Sequence, residues 1–143
     1  MAHYAIEIPC PCSLVSSVLL DFPKYNEWCS FTPGAQRNDK SVLLSVQFPG
    51  EALRKQRVYL EEIGPRSLTW TYTLFSRCLL YARREQKVES LGDTTSRYTT
   101  SETMSGILAP VVLFLYGAKV KRGFQSVAEE LRTRAVGVRE ETS

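Results

Sequence analysis

Apolar and polar positions alternate through most of this chain and switch to helical spacing twice, once near each end. Tyr4, Ile6 and Ile8 alternate with small or polar neighbours, which predicts an opening strand that stops at Pro9 and Pro11. From Ser13 the period changes. Leu14, Val15, Val18 and Leu19 recur at helical spacing behind a serine able to cap the first turn, so a short helix is expected to end near Asp21. Phe22, Tyr25 and Trp28 then stand three apart, as on one face of a second short helix. Between Val42 and Thr103 the pattern has period two, broken at Pro49-Gly50, Gly64-Pro65 and Gly92-Asp93. Strands are expected at 42–48, 54–63, 67–75, 78–90 and 94–104, joined by short connections into an antiparallel meander. Leu113, Tyr116, Val120, Phe124, Val127 and Leu131 predict a long amphipathic helix over 111–134, with a polar tail at 135–143 expected to fray.

A meander alone leaves one apolar face bare, and only the last helix is long enough to cover it. The predicted class is therefore α+β, a curved antiparallel sheet gripping a C-terminal helix, with residues 1–143 as one domain. The net charge of +3, from 18 basic and 15 acidic residues, is spread along the chain and forms no basic stripe, which argues against a nucleic-acid partner. The longest apolar run, Ile107 to Tyr116, is broken by Pro110 and reaches about half the roughly 20 residues of a spanning helix, so no transmembrane segment is expected. The N-terminus shows no basic head followed by an apolar run, and a cytoplasmic location is expected. Cys10, Cys12, Cys29 and Cys78 then read as free thiols. One histidine, His3, and a Cys-Pro-Cys spacing unlike a zinc pair imply no metal site, and glycine-rich phosphate or dinucleotide loops are missing, so no cofactor is implied. Lys87, Lys119, Lys121 and Arg122 read as a solvated face rather than a membrane-surface patch.

Three segments carry a family resemblance. Leu20-Asp21-Phe22-Pro23-Lys24-Tyr25-Asn26-Glu27-Trp28, Glu62-Ile63-Gly64-Pro65-Arg66-Ser67-Leu68-Thr69-Trp70 and Ser101-Glu102-Thr103-Met104-Ser105-Gly106 occur in the order seen in the SRPBCC superfamily. The chain resembles the START-like, Bet v allergen-like helix-grip proteins, and among them the polyketide cyclase/dehydrase type. That resemblance implies a sheet wrapped round a helix with an apolar ligand cavity between them. It does not name a reaction, because the same shell carries lipids, senses hormones and closes rings. Related chains often carry Trp-Asn-Pro-Phe where this one has Trp28-Cys29-Ser30-Phe31, and histidine where Arg84 stands, so roles resting on those residues do not carry over.

The alternation orients the sheet. Over 78–90 the odd positions are nearly all charged, while Cys78, Leu80, Ala82, Arg84, Gln86 and Val88 form the inward set. Over 67–75 the inward set is Leu68, Trp70, Tyr72 and Leu74. A three-residue loop at Gly92-Asp93-Thr94 would pair Val88 with Tyr98, Gln86 with Thr100 and Arg84 with Glu102, keeping inward residues opposite one another. Glu102, Arg84 and Tyr98 are thus the candidate catalytic residues. Trp70, Tyr72, Gln86, Thr100, Met104, Tyr116, Val120 and Phe124 are the candidate ligand contacts. Arg84 and Glu102 either neutralise each other as a structural pair or serve a ligand, the carboxyl exchanging a proton and the guanidinium holding an anionic oxygen. Tyr72 and Tyr98 either pack the core or orient a ligand oxygen. Trp28 is expected to support the second short helix without touching ligand. The leading function is a cofactor-independent cyclase, dehydratase or isomerase acting on a hydrophobic oxygenated metabolite. A non-catalytic carrier is the alternative, and a partner-binding role for the outer face of the last helix has no positive feature in its favour. Monomer and homodimer both remain open.

Overall fold

The computed structural model describes residues 2–48 and 50–142. Strand β1 (Ala2–Ile8) leads into helix α1 (Cys12–Leu20) and a 3-10 segment (Phe22–Glu27). Six more strands follow: β2 (Gly34–Asn38), β3 (Ser41–Val46), β4 (Arg54–Ile63), β5 (Ser67–Leu74), β6 (Leu80–Ser90) and β7 (Ser96–Ser105). Helix α2 (Ala109–Thr142) closes the chain. The strands form one antiparallel sheet in the order β1-β7-β6-β5-β4-β3-β2. This is the expected α+β grip, a meander extended by the first strand at one edge.

The register across the β6–β7 hairpin pairs Val88 with Tyr98, Gln86 with Thr100 and Arg84 with Glu102, as the alternation requires. Burial along β6 follows it: Leu80, Ala82, Arg84, Gln86 and Val88 are buried. Cys78 departs from that set, being exposed in the β5–β6 turn ahead of the strand. A bulge in β4 between Leu60 and Glu62 adds twist where the sheet bends.

Three sequence expectations fail for identifiable reasons. Strand β2 was not foreseen because it is a polar edge strand in which Ala35 alone is buried. Ser13 does not cap α1; the helix starts one residue earlier, with Pro11 at the N-cap and no side-chain cap hydrogen bond. The tail does not fray at 134, since α2 continues to Thr142. Ala135 is fully buried beside Leu131, Ile8, Val15 and Tyr98, and Arg139 donates a hydrogen bond to the Pro9 carbonyl. Small apolar residues sustain this last stretch, and they carry a weak periodic signal.

Two core clusters result. One gathers Ile8, Cys10, Val15, Leu19, Val88, Tyr98, Leu131 and Ala135 where α1 and the end of α2 meet β1. The other gathers Phe22, Tyr25, Phe31, Val42, Val58, Trp70 and Phe124 between the sheet and the middle of α2. No helix among the described residues is long and apolar enough to cross a membrane.

Candidate functional site

A cavity of about 330 Å³ opens between the concave face of the sheet and the first half of α2. Its size falls within the usual range for small-molecule sites. Strands β5, β6 and β7 supply Trp70, Tyr72, Arg84, Glu102 and Met104, and α2 supplies Val112, Tyr116, Val120 and Phe124. Phe31 and Phe48 complete the aromatic wall. Phe31 packs edge-on against Phe48 and Phe124, with ring centroids 5.4 and 6.3 Å apart, and Phe48 stacks on Tyr116 at 6.1 Å. The Phe31 ring is held where it is by the absence of a side chain on Gly123, since a Cβ there would sit 2.4 Å from it. Neither Phe31 nor Phe48 was foreseen as a site residue. Phe31 lies outside every expected strand, whereas Phe48 ends the expected strand 42–48 in phase with Val42, Leu44 and Val46, a periodic signal that was not used to orient that strand.

Arg84 is the polar centre of the cavity wall. Its side chain is buried, and its guanidinium carbon lies 4.0 Å from the Phe124 ring centroid and 5.8 Å from that of Trp70. That arrangement offers cation–π stabilisation in place of water. Its Nε donates to Thr100 Oγ1 at 3.1 Å, while Nη2 is buried without any hydrogen-bond partner. A buried, unpartnered N–H on a cation is costly, so this group carries an unmet demand for an acceptor.

Glu102 stands directly opposite Arg84 in the register, yet the ion pairs within 4.0 Å among the described residues do not include the two. Burial pushes the Glu102 carboxyl above its ordinary value, and the Arg84 charge offsets this only in part. The site thus combines a fixed cation with one vacant donor and a carboxyl whose proton is held more tightly than usual.

Of the candidates read from the sequence, Trp70, Tyr72, Arg84, Glu102, Met104, Tyr116, Val120 and Phe124 line the cavity. Tyr98, Gln86 and Thr100 do not; they are fully buried behind Arg84. Tyr98 donates to Gln86 Oε1 at 2.5 Å, and burial pushes its phenol above the usual range. Inward orientation alone could not separate these positions, because the closed end of the grip fills with side chains and only the open end stays hollow. Trp28 lies away from the cavity, beside a shallow surface groove with Glu27 and Arg134, and packs edge-on against Tyr25 at 5.1 Å. Tyr25 in turn donates to the Leu19 carbonyl at 2.5 Å, tying the 3-10 segment to α1. No group of three or more metal-ligating side chains occurs among the described residues.

No protein-family model matches the chain, and no curated protein matches its sequence. Solved structures do match. The Zhui aromatase/cyclase from Streptomyces sp. R1128 superposes with a TM-score of 0.73 at 15% identity, over 94% of this chain and 92% of that one. A START superfamily protein from Mycobacterium smegmatis gives 0.73 at 14% identity, over 96% and 97%. The di-domain aromatase/cyclase StfQ from the steffimycin biosynthetic pathway gives 0.75 at 13% identity, with 98% of this chain covering 46% of that one. The chain therefore has the helix-grip fold of the aromatase/cyclases and START superfamily proteins.

Proposed function

We propose that this chain binds an apolar, oxygen-bearing metabolite in its cavity and acts on it as a cofactor-independent cyclase, dehydratase or isomerase. The observation that carries this reading is Arg84, which lines an aromatic cavity and whose Nη2 is buried without an acceptor. A ligand carbonyl or enolate oxygen supplies that acceptor, and the apolar walls strengthen the contact by excluding water. Glu102 as carboxylate removes a proton from the carbon beside the carbonyl. The C–H electron pair forms a carbon–carbon double bond as the carbonyl π pair moves onto the oxygen held by Arg84. The enolate pair then returns to break the C–O bond of a β-hydroxyl, which takes the proton from Glu102 and leaves as water, or to accept that proton at another carbon. A raised pKa makes this carboxylate a stronger base and keeps its acid form available closer to neutrality. Tyr98, Gln86 and Thr100 act through Arg84 as positioning residues, with Thr100 accepting from its Nε. The superposition on aromatase/cyclases supports this assignment.

The carrier reading is favoured by a different observation: Glu102 is the sole carboxylate among the described lining residues. One pair of substitutions decides. Arg84→Met removes the vacant donor while keeping similar volume, so it is expected to leave the melting temperature unchanged or raised. It should weaken binding of anthracene-9-carboxylate, a fluorescent aromatic acid, by about tenfold or more, in line with the roughly 1.5–3 kcal/mol of a charged hydrogen bond. Unchanged affinity would refute the role of Arg84. Glu102→Gln should keep binding and abolish turnover of a cyclisable polyketide analogue. If neither wild type nor variant turns over any such analogue while both bind it, the carrier reading stands.

A further inference from the structure

Close in sequence to the cavity-lining residues Tyr72, Leu80, Met104, Val112 and Tyr116 the protein exposes large apolar side chains. Phe75 is 91% exposed, Phe114 88% and Ile107 76%, with Val111 and Leu115 also more than half exposed. These come from two segments tied together by backbone hydrogen bonds. Ile107 N–H donates to the Cys78 carbonyl and Leu108 N–H to that of Leu79, each at 2.9 Å. The tie depends on Gly106, whose φ of 106° and approach to Leu79 leave no space for a Cβ. Phe75 is held outward at a φ of 62°, a conformation that non-glycine residues rarely adopt.

The first turns of α2 have two apolar faces. Val112, Tyr116 and Val120 line the cavity, while Val111, Phe114 and Leu115 point away from it and are exposed. A helix that is apolar all round is suited to a non-aqueous surrounding on its outer face. Charge completes the pattern. No acidic residue occurs between Glu102 and Glu129, nor between Glu62 and Glu85, so the two segments carry only cations. Arg77 sits over the Tyr81 ring at 4.2 Å, and exposed Lys121 and Arg122 follow the apolar turns of α2. Lys119 is already paired with Glu51 at 2.6 Å.

We infer that this rim is a docking surface for an anionic lipid bilayer: Phe75, Ile107 and Phe114 enter the interface, and Arg77, Lys121 and Arg122 meet the headgroups. Lys121 and Arg122 are exposed, as a solvated face requires, and the apolar stripe beside them is what the docking surface adds. The inference goes beyond the cavity chemistry and does not rest on it. Its consequence is that an apolar ligand could pass between membrane and cavity without crossing water.

Flotation of the full chain with vesicles tests this. Binding is expected to phosphatidylcholine vesicles containing phosphatidylglycerol, weaker binding to phosphatidylcholine alone, and loss of the difference as salt shortens the screening length from about 10 Å at 0.1 M to about 3 Å at 1 M. The double change Phe75→Ser with Phe114→Ser touches only exposed positions, so folding and anthracene-9-carboxylate binding should persist while vesicle affinity falls by about tenfold or more. Absence of wild-type binding to any vesicle, equal binding to both compositions, or undiminished binding by the double variant would each overturn the inference. So would a homodimer in light scattering that the same double change converts to monomer, because a second copy would then be the occupant.

Discussion

The two halves of α2 do opposite jobs. Its C-terminal half meets β1 and α1 through fully buried Leu131 and Ala135, which join one core cluster with Ile8, Val15 and Tyr98. Its N-terminal half faces a cavity on one side and solvent on the other, and Phe114 alone is nearly as exposed as in an unfolded chain. One helix thus serves as core at one end and as wall at the other. The lesson is that stability and site are separated along a single element, so the open end can stay hollow because the closed end holds the grip together.

That division can be broken most directly by truncation. Leu131→Ala at the closed end is expected to cost about 3–5 kcal/mol, whereas Val120→Ala, beside space that already exists, should cost about 1 kcal/mol, both read by urea denaturation. Similar losses at the two positions would erase the distinction. Gly123→Ala probes the boundary between the halves. The new methyl must displace the buried Phe31 ring, so a loss of about 1–3 kcal/mol is expected together with weaker binding of a bulky cavity ligand.

A smaller effect is expected from pH. The folded state holds the Glu102 proton more tightly than the unfolded state, so the native chain binds more protons than the unfolded one over this window. Stability should therefore be fullest below the ordinary carboxylate value of 4.5 and decline as pH rises above it through the raised value. Glu102→Gln should flatten that decline in a melting series across pH, and an unaltered slope would place the titration elsewhere. Thiol labelling gives the finest contrast. Cys78 is exposed and should react first, while burial pushes the Cys29 thiol up to about 11, so Cys29 should react only on unfolding.

Much of the architecture was legible because sheet alternation and helical spacing are local signals. The β6–β7 register followed from loop length together with the need to keep Arg84 and Gln86 facing inward. Strand β2 and the last turns of α2 escaped because Gln36, Arg37 and Asn38 are polar on both faces and Ala135 is small. For the site, alternation found the face but not the depth. Arg84 and Tyr98 are both inward, yet only the first reaches the cavity, a difference set by how far α2 stands from the sheet along its length. The exposed rim was equally hidden, since Ile107 to Tyr116 reads as one apolar run and its division into inner and outer faces needs the helix in place.

The sheet is open at both edges, with β1 and β2 outermost. An open edge presents unpaired backbone groups to any passing strand and is a common starting point for aggregation. Here each edge carries its own deterrent. Strand β2 is five residues long and ends in exposed Gln36, Arg37 and Asn38, followed by a tight turn with Asp39 at a φ of 55°. Strand β1 runs straight into Pro9 and Pro11, neither of which can donate to a ladder, and the Arg139 side chain occupies the Pro9 carbonyl. A protein that keeps an apolar rim uncovered can ill tolerate sticky strand edges as well, and the polar residues of β2 and the prolines after β1 disfavour edge-to-edge pairing of two sheets.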